Sequence, residues 1–154
     1  MPRKSFPGFG SVSTATLKTE DLLDAFSWTC KQYGGRKGAK LAREYDAMPS
    51  ADDWTPEEEE TAGYLLEDMT ECLDSLCPDY VTFGTAEGDG ADFGFWVCWD
   101  SVERAVADGE ILKTGDLSEV PKAYRGHVME VNDHGNVTLY YKSARKFREL
   151  WAVV

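Results

Sequence analysis

Apolar residues recur every three or four positions through the first third of the chain, which is the period of an amphipathic helix. Residues 19–33 carry such a stripe, broadened by Leu23 and Trp28, between a Thr19 cap and the helix-ending pair Gly34-Gly35. The stripe of this first helix consists of Leu22, Phe26, Cys30 and Tyr33. A second, shorter helix is predicted at residues 36–48.

The third predicted helix has the clearest boundaries. Thr55, Pro56 and Glu58 form a capping box with proline at the first helical position, and Cys77-Pro78 ends the helix. The side opposite its apolar stripe carries acidic residues. None of them has a Lys or Arg four positions away, so no ion pair along the helix offsets their mutual repulsion. The apolar stripe consists of Ala62, Leu65, Leu66, Met69, Cys72, Leu73 and Leu76.

From Tyr80 the period changes to two, which predicts β-strands. The sequence therefore predicts an α+β protein, with two to three N-terminal helices packed on a C-terminal antiparallel β-sheet, a meander. Residues 1–18 are predicted to be a flexible N-terminal arm, and residues 19–154 a single domain. Strands are predicted at residues 80–83, 93–99, 111–113, 126–132, 136–142 and 147–153, with a short helix near residues 100–107.

Charge is concentrated in one block of the chain. The net charge is −12, and residues 44–103 contain eighteen acids and no Lys, Arg or His. Residues 1–43 carry a net charge of +5, and residues 104–154 a net charge of +1. Such a block creates a negative field that attracts or imitates a charged partner, and it disfavours direct binding to nucleic acid or anionic lipid.

We predict a partner-binding surface on the third helix and in the loop at residues 87–92. Carboxylates on one helix face can approach the charge spacing of DNA, and like phosphates they only accept hydrogen bonds. Trp54, Tyr64 and Tyr80 lie among the acids and are suited to anchor contacts. The alternative interpretation is that the acids only keep the protein soluble. The candidate residues are Glu57, Glu60, Glu67, Asp68, Glu71, Asp74, Glu87, Asp89 and Asp92.

Residues suited to catalysis are sparse. The carboxylates at 87, 89 and 92 resemble part of a calcium loop, but the position that requires a bidentate acid is Cys98. His134 adjoins Asp133, yet adjacent side chains usually point apart, and such a His suits a turn. We therefore expect no catalytic residue, no cofactor and no metal, and we expect the protein not to be an enzyme. The four cysteines are expected to be reduced and mostly buried.

Four segments of the C-terminal half resemble small acidic proteins of unassigned function encoded by bacteriophages and plasmids. They read GDGADFGFW at residues 88–96, LSEVP at 117–121, VNDHGNVTLY at 131–140 and ELWAVV at 149–154. The resemblance implies a mobile-element protein expressed inside a bacterium, and it transfers no catalytic residue. In that context a small acidic protein looks like an inhibitor of host defence, of the anti-CRISPR or anti-restriction type.

Three functional hypotheses remain open from sequence alone. The first is a non-enzymatic protein that binds a basic, nucleic-acid-binding host protein by DNA mimicry and loses binding on charge reversal at Glu67, Glu71 and Asp74. The second is a small-molecule-binding domain or minor enzyme that uses the Gly/Asp loops of the sheet, with a pocket near Trp96, Trp99 and His134. The third is an assembly accessory that oligomerises through the sheet edge. No apolar run reaches membrane-span length and no secretory signal is apparent, so we expect host-cytoplasmic localisation.

Overall fold

The computed structural model describes residues 3–154, which form two compact units. The first unit consists of residues 3–77 and Val81–Val97, and the second consists of Pro78–Tyr80 and Cys98–Val154. Each unit contains both helix and sheet, which confirms the α+β class. The sequence predicts one domain from residue 19 onwards, and the structure shows this division within it.

The first unit packs three helices on a small antiparallel sheet. The helices are α1 (Thr19–Tyr33), α2 (Gly35–Asp46) and α3 (Pro56–Asp74), and the strands are β1 (Gly10–Ser13), β2 (Val81–Ala86) and β3 (Asp89–Val97). The strand order is β1-β3-β2, so β3 is central. Helix α1 contacts both other helices, and α1 and α3 also contact the sheet. The three helices are confirmed near their predicted bounds.

Aromatic rings fill the space between α1 and this sheet. Phe26 is fully buried and meets Phe83 and Phe93 edge to face, with ring centroids 5.0 and 5.6 Å apart. Trp28, in contrast, is 61% exposed. Trp28 follows Leu22 by six residues. At roughly 100° per residue it is rotated by about 240° from Leu22 around the helix axis, which places it on the side away from the buried stripe. Its assignment to the apolar stripe is therefore wrong.

Strand β1 lies inside the segment that the sequence predicts as a flexible arm. Gly10 pairs with Phe95 and Ser11 with Gly94 of β3. A side chain at Gly94 would collide with the Gly10 carbonyl oxygen, so glycine at this position permits the pairing. The abundance of glycine near the N-terminus suggested irregular structure, but here glycine allows two strands to approach.

The second unit contains a four-stranded sheet in the order β4-β5-β6-β7, together with α4 (Trp99–Ala107). Its strands are β4 (Ile111–Thr114), β5 (Gly126–Val131), β6 (Val137–Lys142) and β7 (Phe147–Val153). The last three strands form the predicted antiparallel meander. Strand β4, however, pairs parallel to β5. Buried core residues include Val102, Ile111, Val128, Leu139 and Trp151.

The prediction of one antiparallel sheet is thus wrong in two respects. The strands divide between two sheets, and the second sheet is mixed. A connection of eleven residues, 115–125, joins β4 to β5 and includes a short 3₁₀ turn at Leu117–Glu119. About a dozen residues suffice to carry the chain back to the same end of the sheet, which allows parallel pairing.

Two further expectations concern membranes and cysteines. Among residues 3–154, no helix is long and apolar enough to cross a membrane. All four cysteines are free thiols, with Cys30 and Cys72 buried and Cys77 and Cys98 half-buried. A hydrogen bond with Cys72, followed by burial, holds the pKa of Cys30 above its ordinary value.

Candidate functional site

Helix α3 begins at a complete capping box, as predicted. The side-chain oxygen of Thr55 accepts a hydrogen bond from the Glu58 amide at 3.2 Å, and Glu58 Oε1 accepts one from the Thr55 amide at 3.3 Å. Pro56 occupies the first helical position. The cap fixes where the helix starts and therefore which side chains face outwards. Glu58 serves this cap.

The outward side of α3 carries a row of six acids, which we call the acidic face. At roughly 100° per residue its members lie within an arc of about 120°. The helix rises about 1.5 Å per residue, so the row extends over roughly 26 Å, with one carboxylate about every 5 Å on average and a wider interval of about 10 Å between Glu60 and Glu67. All six are exposed. The acidic face consists of Glu57, Glu60, Glu67, Asp68, Glu71 and Asp74.

This spacing is close to that of a single nucleic-acid strand. One strand of B-DNA carries a phosphate about every 3.4 Å of axis, and the duplex carries a charge about every 1.7 Å. The acidic face therefore has roughly two thirds of the linear charge density of one strand and about one third that of the duplex. Tyr64 lies within this row, is 60% exposed, and donates a hydrogen bond to Glu60 at 3.1 Å.

None of the six carboxylates forms an ion pair with a Lys, Arg or His in the described part of the chain. The face also contains four pairs of acids three or four residues apart, and each pair costs a few tenths of a kcal/mol. The burial of the opposite side of α3 offsets this repulsion, because Leu65, Met69 and Leu73 are almost fully enclosed. The face is therefore an uncompensated negative surface on a well-anchored helix.

Asp74 has a structural bond that the sequence does not reveal. Its Oδ1 accepts a hydrogen bond from the Phe83 amide at 3.0 Å, which ties the end of α3 to β2. A substitution at Asp74 would therefore disturb the fold as well as the charge. Glu60 accepts the Tyr64 bond, and within residues 3–154 the carboxylates of the other four acids of the face form no hydrogen bond; these are Glu57, Glu67, Asp68 and Glu71.

The loop acids lie at the β2–β3 hairpin. Glu87 and Gly88 form its two-residue turn, and Gly88 adopts a positive φ of 82°. Asp89 Oδ1 accepts a hydrogen bond from the Ala91 amide at 3.0 Å, which stabilises the turn. Asp92 is half-buried, and its Oδ1 is shielded from solvent without a hydrogen-bond partner in the described residues. Across residues 3–154, no three His, Cys, Asp or Glu side chains are placed to hold a metal ion.

A second group of acids in the first unit surrounds a cavity of about 410 Å³. The Tyr45 hydroxyl donates a hydrogen bond to the Asp24 carboxylate, and burial followed by this bond raises the pKa of Tyr45. The sequence pattern does not indicate that the acids at the start of α1 line a cavity. The fold brings them together because α2 returns along α1 after Gly34. The charged and aromatic lining residues are Glu20, Asp21, Asp24, Asp52, Tyr45 and Trp54.

The second unit contains an Asp–His pair that sequence analysis missed. His127 Nε2 lies 2.8 Å from Asp79 Oδ2, although the two residues are 48 positions apart. The rings of Tyr80 and Tyr141 meet the imidazole edge to face at 5.4 and 5.3 Å. The Tyr124 hydroxyl donates to the His127 carbonyl oxygen at 2.8 Å. A carboxylate that orients an imidazole can prepare it for acid–base chemistry.

The aromatic pocket expected near Trp96, Trp99 and His134 is not formed by these three residues together. The Trp96 indole donates to the Gly84 carbonyl oxygen at 3.0 Å, within the first sheet. Trp99 lines a cavity of about 310 Å³ in the second unit, but Trp96 and His134 are not among its lining residues. His134 is exposed, and its backbone amide donates to Asn132 Oδ1 at 2.9 Å in the hairpin turn.

Comparison with protein-family models, with curated proteins and with solved structures finds no match to this chain.

Proposed function

We propose that the protein is a non-enzymatic interaction protein whose acidic face occupies a cation-lined groove of a nucleic-acid-binding protein, in the place of DNA. The row of carboxylates along about 26 Å of α3, none of them in an ion pair within residues 3–154, and the exposed Tyr64 among them support this proposal. Ionised carboxylates accept hydrogen bonds from Arg and Lys as phosphates do, and Arg engages them through two parallel bonds. Exposed tyrosines frequently anchor protein interfaces.

The electrostatics of the free protein favour such a partner. Neighbouring acids on the face repel one another, and cations placed between them would convert repulsion into attraction. The same field would accelerate association with a basic surface and would weaken with salt. A face of this kind is expected to bind quickly at low ionic strength and to release its partner as salt rises.

The resemblance to phage- and plasmid-encoded proteins supports a setting for this activity. We place the protein in the bacterial cytoplasm, where basic nucleic-acid-binding complexes of CRISPR and restriction systems meet invading DNA. Inhibition of such a complex would require the acidic face to compete with DNA for the same groove. Glu87 and Asp89 of the β2–β3 hairpin are exposed, and in this proposal they make a second, smaller contact with the same partner.

The test is capture of partners from a bacterial lysate by the tagged full chain, with elution by a salt gradient. A variant with Glu60→Lys, Glu67→Lys and Glu71→Lys should lose the captured protein. This set spares Asp74, whose bond to β2 would confuse the result. The matched control reverses three exposed acids of the second unit and gives the same net charge. It carries Glu103→Lys, Asp108→Lys and Glu119→Lys.

Loss in the face variant with retention in the control would support the acidic face as the binding surface. Equal loss in both would show that net charge alone is responsible. Retention in both would refute the proposal. Duplex DNA added to the immobilised complex should release the partner, because both ligands would use one groove.

A second candidate function rests on the His127–Asp79 pair and its tyrosine surroundings. The 2.8 Å contact can fix the imidazole tautomer and let His127 accept a proton from a bound small molecule. Hydrolysis of an activated ester such as p-nitrophenyl acetate provides a generic test. If the pair is active, His127→Gln should reduce the rate to that of buffer while His134→Gln should not. Equal rates in both variants would remove this candidate.

A further inference from the structure

The second unit contains a concave basic surface in a chain whose net charge is −12. A cavity of about 350 Å³ lies between the segment before β5 and the turn that joins β6 to β7. Four of its lining residues are cationic, and none is acidic. We call these four the basic cluster; they are Lys122, Lys142, Arg145 and Lys146.

Lys142 is the buried centre of the basic cluster. Its residue surface is 6% exposed, and its Nζ donates to the carbonyl oxygens of Lys122 at 2.9 Å, Tyr124 at 3.0 Å and Ser143 at 3.4 Å. The Nζ also lies 5.9 Å from the centre of the Phe147 ring. These partners satisfy its three N–H groups but are all uncharged. A buried cation held only by neutral groups retains a positive field that water screens little.

The same three bonds position the other members of the cluster. They tie the backbone at Lys122 to the end of β6, from which the turn carries Arg145 and Lys146. The turn is closed by a hydrogen bond from the Ser143 amide to the Lys146 carbonyl oxygen at 3.0 Å. Side chains of Lys122, Arg145 and Lys146 are exposed and form no ion pair within residues 3–154. Three free cationic groups therefore surround one concavity.

We propose that the basic cluster binds the phosphate group of a small molecule. A phosphate dianion would neutralise the uncompensated charge, accept two parallel bonds from the Arg145 guanidinium and take further bonds from the ammonium groups of Lys122 and Lys146. The volume of about 350 Å³ is at the small end of ligand sites and suits a phosphate ester or a short polyphosphate. This site lies outside the acidic face and does not depend on the function proposed for it.

The test is titration of the full chain with inorganic pyrophosphate at low ionic strength, followed by calorimetry. Saturable one-to-one binding is expected. The double variant Arg145→Gln/Lys146→Gln should weaken it about tenfold or more, because two charge-assisted contacts are removed. Lys122→Gln, outside the turn, should weaken it as well. The matched control Lys113→Gln/Arg148→Gln removes two exposed cations of the same unit that do not line the cavity and should change the affinity less than twofold.

Adenosine monophosphate and adenosine distinguish the source of the phosphate. Tighter binding of the nucleotide than of pyrophosphate, with no binding of the nucleoside, would assign a nucleotide ligand. Equal binding of nucleotide and pyrophosphate would assign the phosphate group alone. Absence of pyrophosphate binding, or equal affinity in the wild type and the double variant, would overturn the proposal. The midpoint of thermal unfolding of each variant establishes that it is folded.

Discussion

Replacing Glu71 by glutamine should stabilise the protein, because Glu71 is the most repelled acid of the acidic face. Glu67 precedes it by four residues and Asp68 by three, and Asp74 follows it by three. Glu71 also lies in the last turn of α3, where the helix dipole disfavours negative charge. No cation within ion-pair distance compensates it in the described residues.

The magnitude follows from these two contributions. Three like-charge pairs at about 0.2–0.5 kcal/mol each give roughly 1 kcal/mol. The unfavourable dipole interaction adds about 0.3–1 kcal/mol at low ionic strength. Glu71→Gln should therefore raise the free energy of unfolding by about 1–2 kcal/mol. For a protein of this length that corresponds to an increase of roughly 2–8 °C in the unfolding midpoint.

The assay is thermal unfolding at low and high salt, with Glu59→Gln as the matched control. Glu59 lies in the first turn of the same helix, where the dipole favours an acid, and no acid lies three or four residues away. Its replacement should leave the midpoint unchanged or lower it slightly. High salt should remove most of the gain in Glu71→Gln. If Glu71→Gln left the midpoint unchanged or lowered it at low salt, or if the increase persisted at high salt, charge repulsion at Glu71 would be excluded as the cause.

Three further predictions concern the fold. Gly38→Ala should destabilise the protein by about 2–3 kcal/mol in urea unfolding, because the added methyl group would collide with the Cys30 carbonyl oxygen. The control Gly63→Ala places its methyl group in open space and should stabilise the protein by about 0.5–1 kcal/mol. The free energy of unfolding should decrease as pH rises above about 10. The raised pKa of Tyr45 means that the folded state holds the phenolic proton more tightly than the unfolded state does. Tyr45→Phe should reduce this dependence on pH when unfolding is measured across that range. In urea unfolding, Asp74→Ala should lower the free energy of unfolding by about 1 kcal/mol. The bond from the Phe83 amide to this carboxylate contributes about 1.5–3 kcal/mol, and relief of the repulsion from Glu71 and of the unfavourable dipole interaction offsets about 0.5–1.5 kcal/mol of that loss. An unchanged or higher free energy of unfolding would remove the structural role of this acid.

Local sequence signals predicted the elements of this fold well. The bounds of α3 follow from a capping box at Thr55, and the β5–β6 turn follows from its Asn, Asp and Gly residues. Strand pairing was predicted less well, because it depends on which segments meet in space. The pairing of β1 with β3 requires the missing side chain of Gly94, and no local pattern reveals that requirement.

The candidate sites show the same distinction. Helical periodicity alone predicted that acids lie on the side of α3 opposite its apolar stripe, and five of them are exposed there, namely Glu60, Glu67, Asp68, Glu71 and Asp74. It did not predict that Asp74 binds the amide of Phe83, or that Asp79 meets His127 across 48 positions. Each of these contacts joins segments whose proximity is set by the packing of the whole unit. Periodicity predicts which side of a helix a residue lies on, whereas the contacts that its side chain makes depend on which other segments pack against it.

We propose that the acidic face competes with DNA for one groove of its partner. The most direct measurement is the apparent dissociation constant of the captured partner for duplex DNA at increasing concentrations of the protein. We expect this constant to rise linearly with the protein concentration, without a plateau. The variant with Glu60→Lys, Glu67→Lys and Glu71→Lys should leave it unchanged. A constant that does not rise, or that rises equally with the variant, would contradict DNA mimicry by the acidic face.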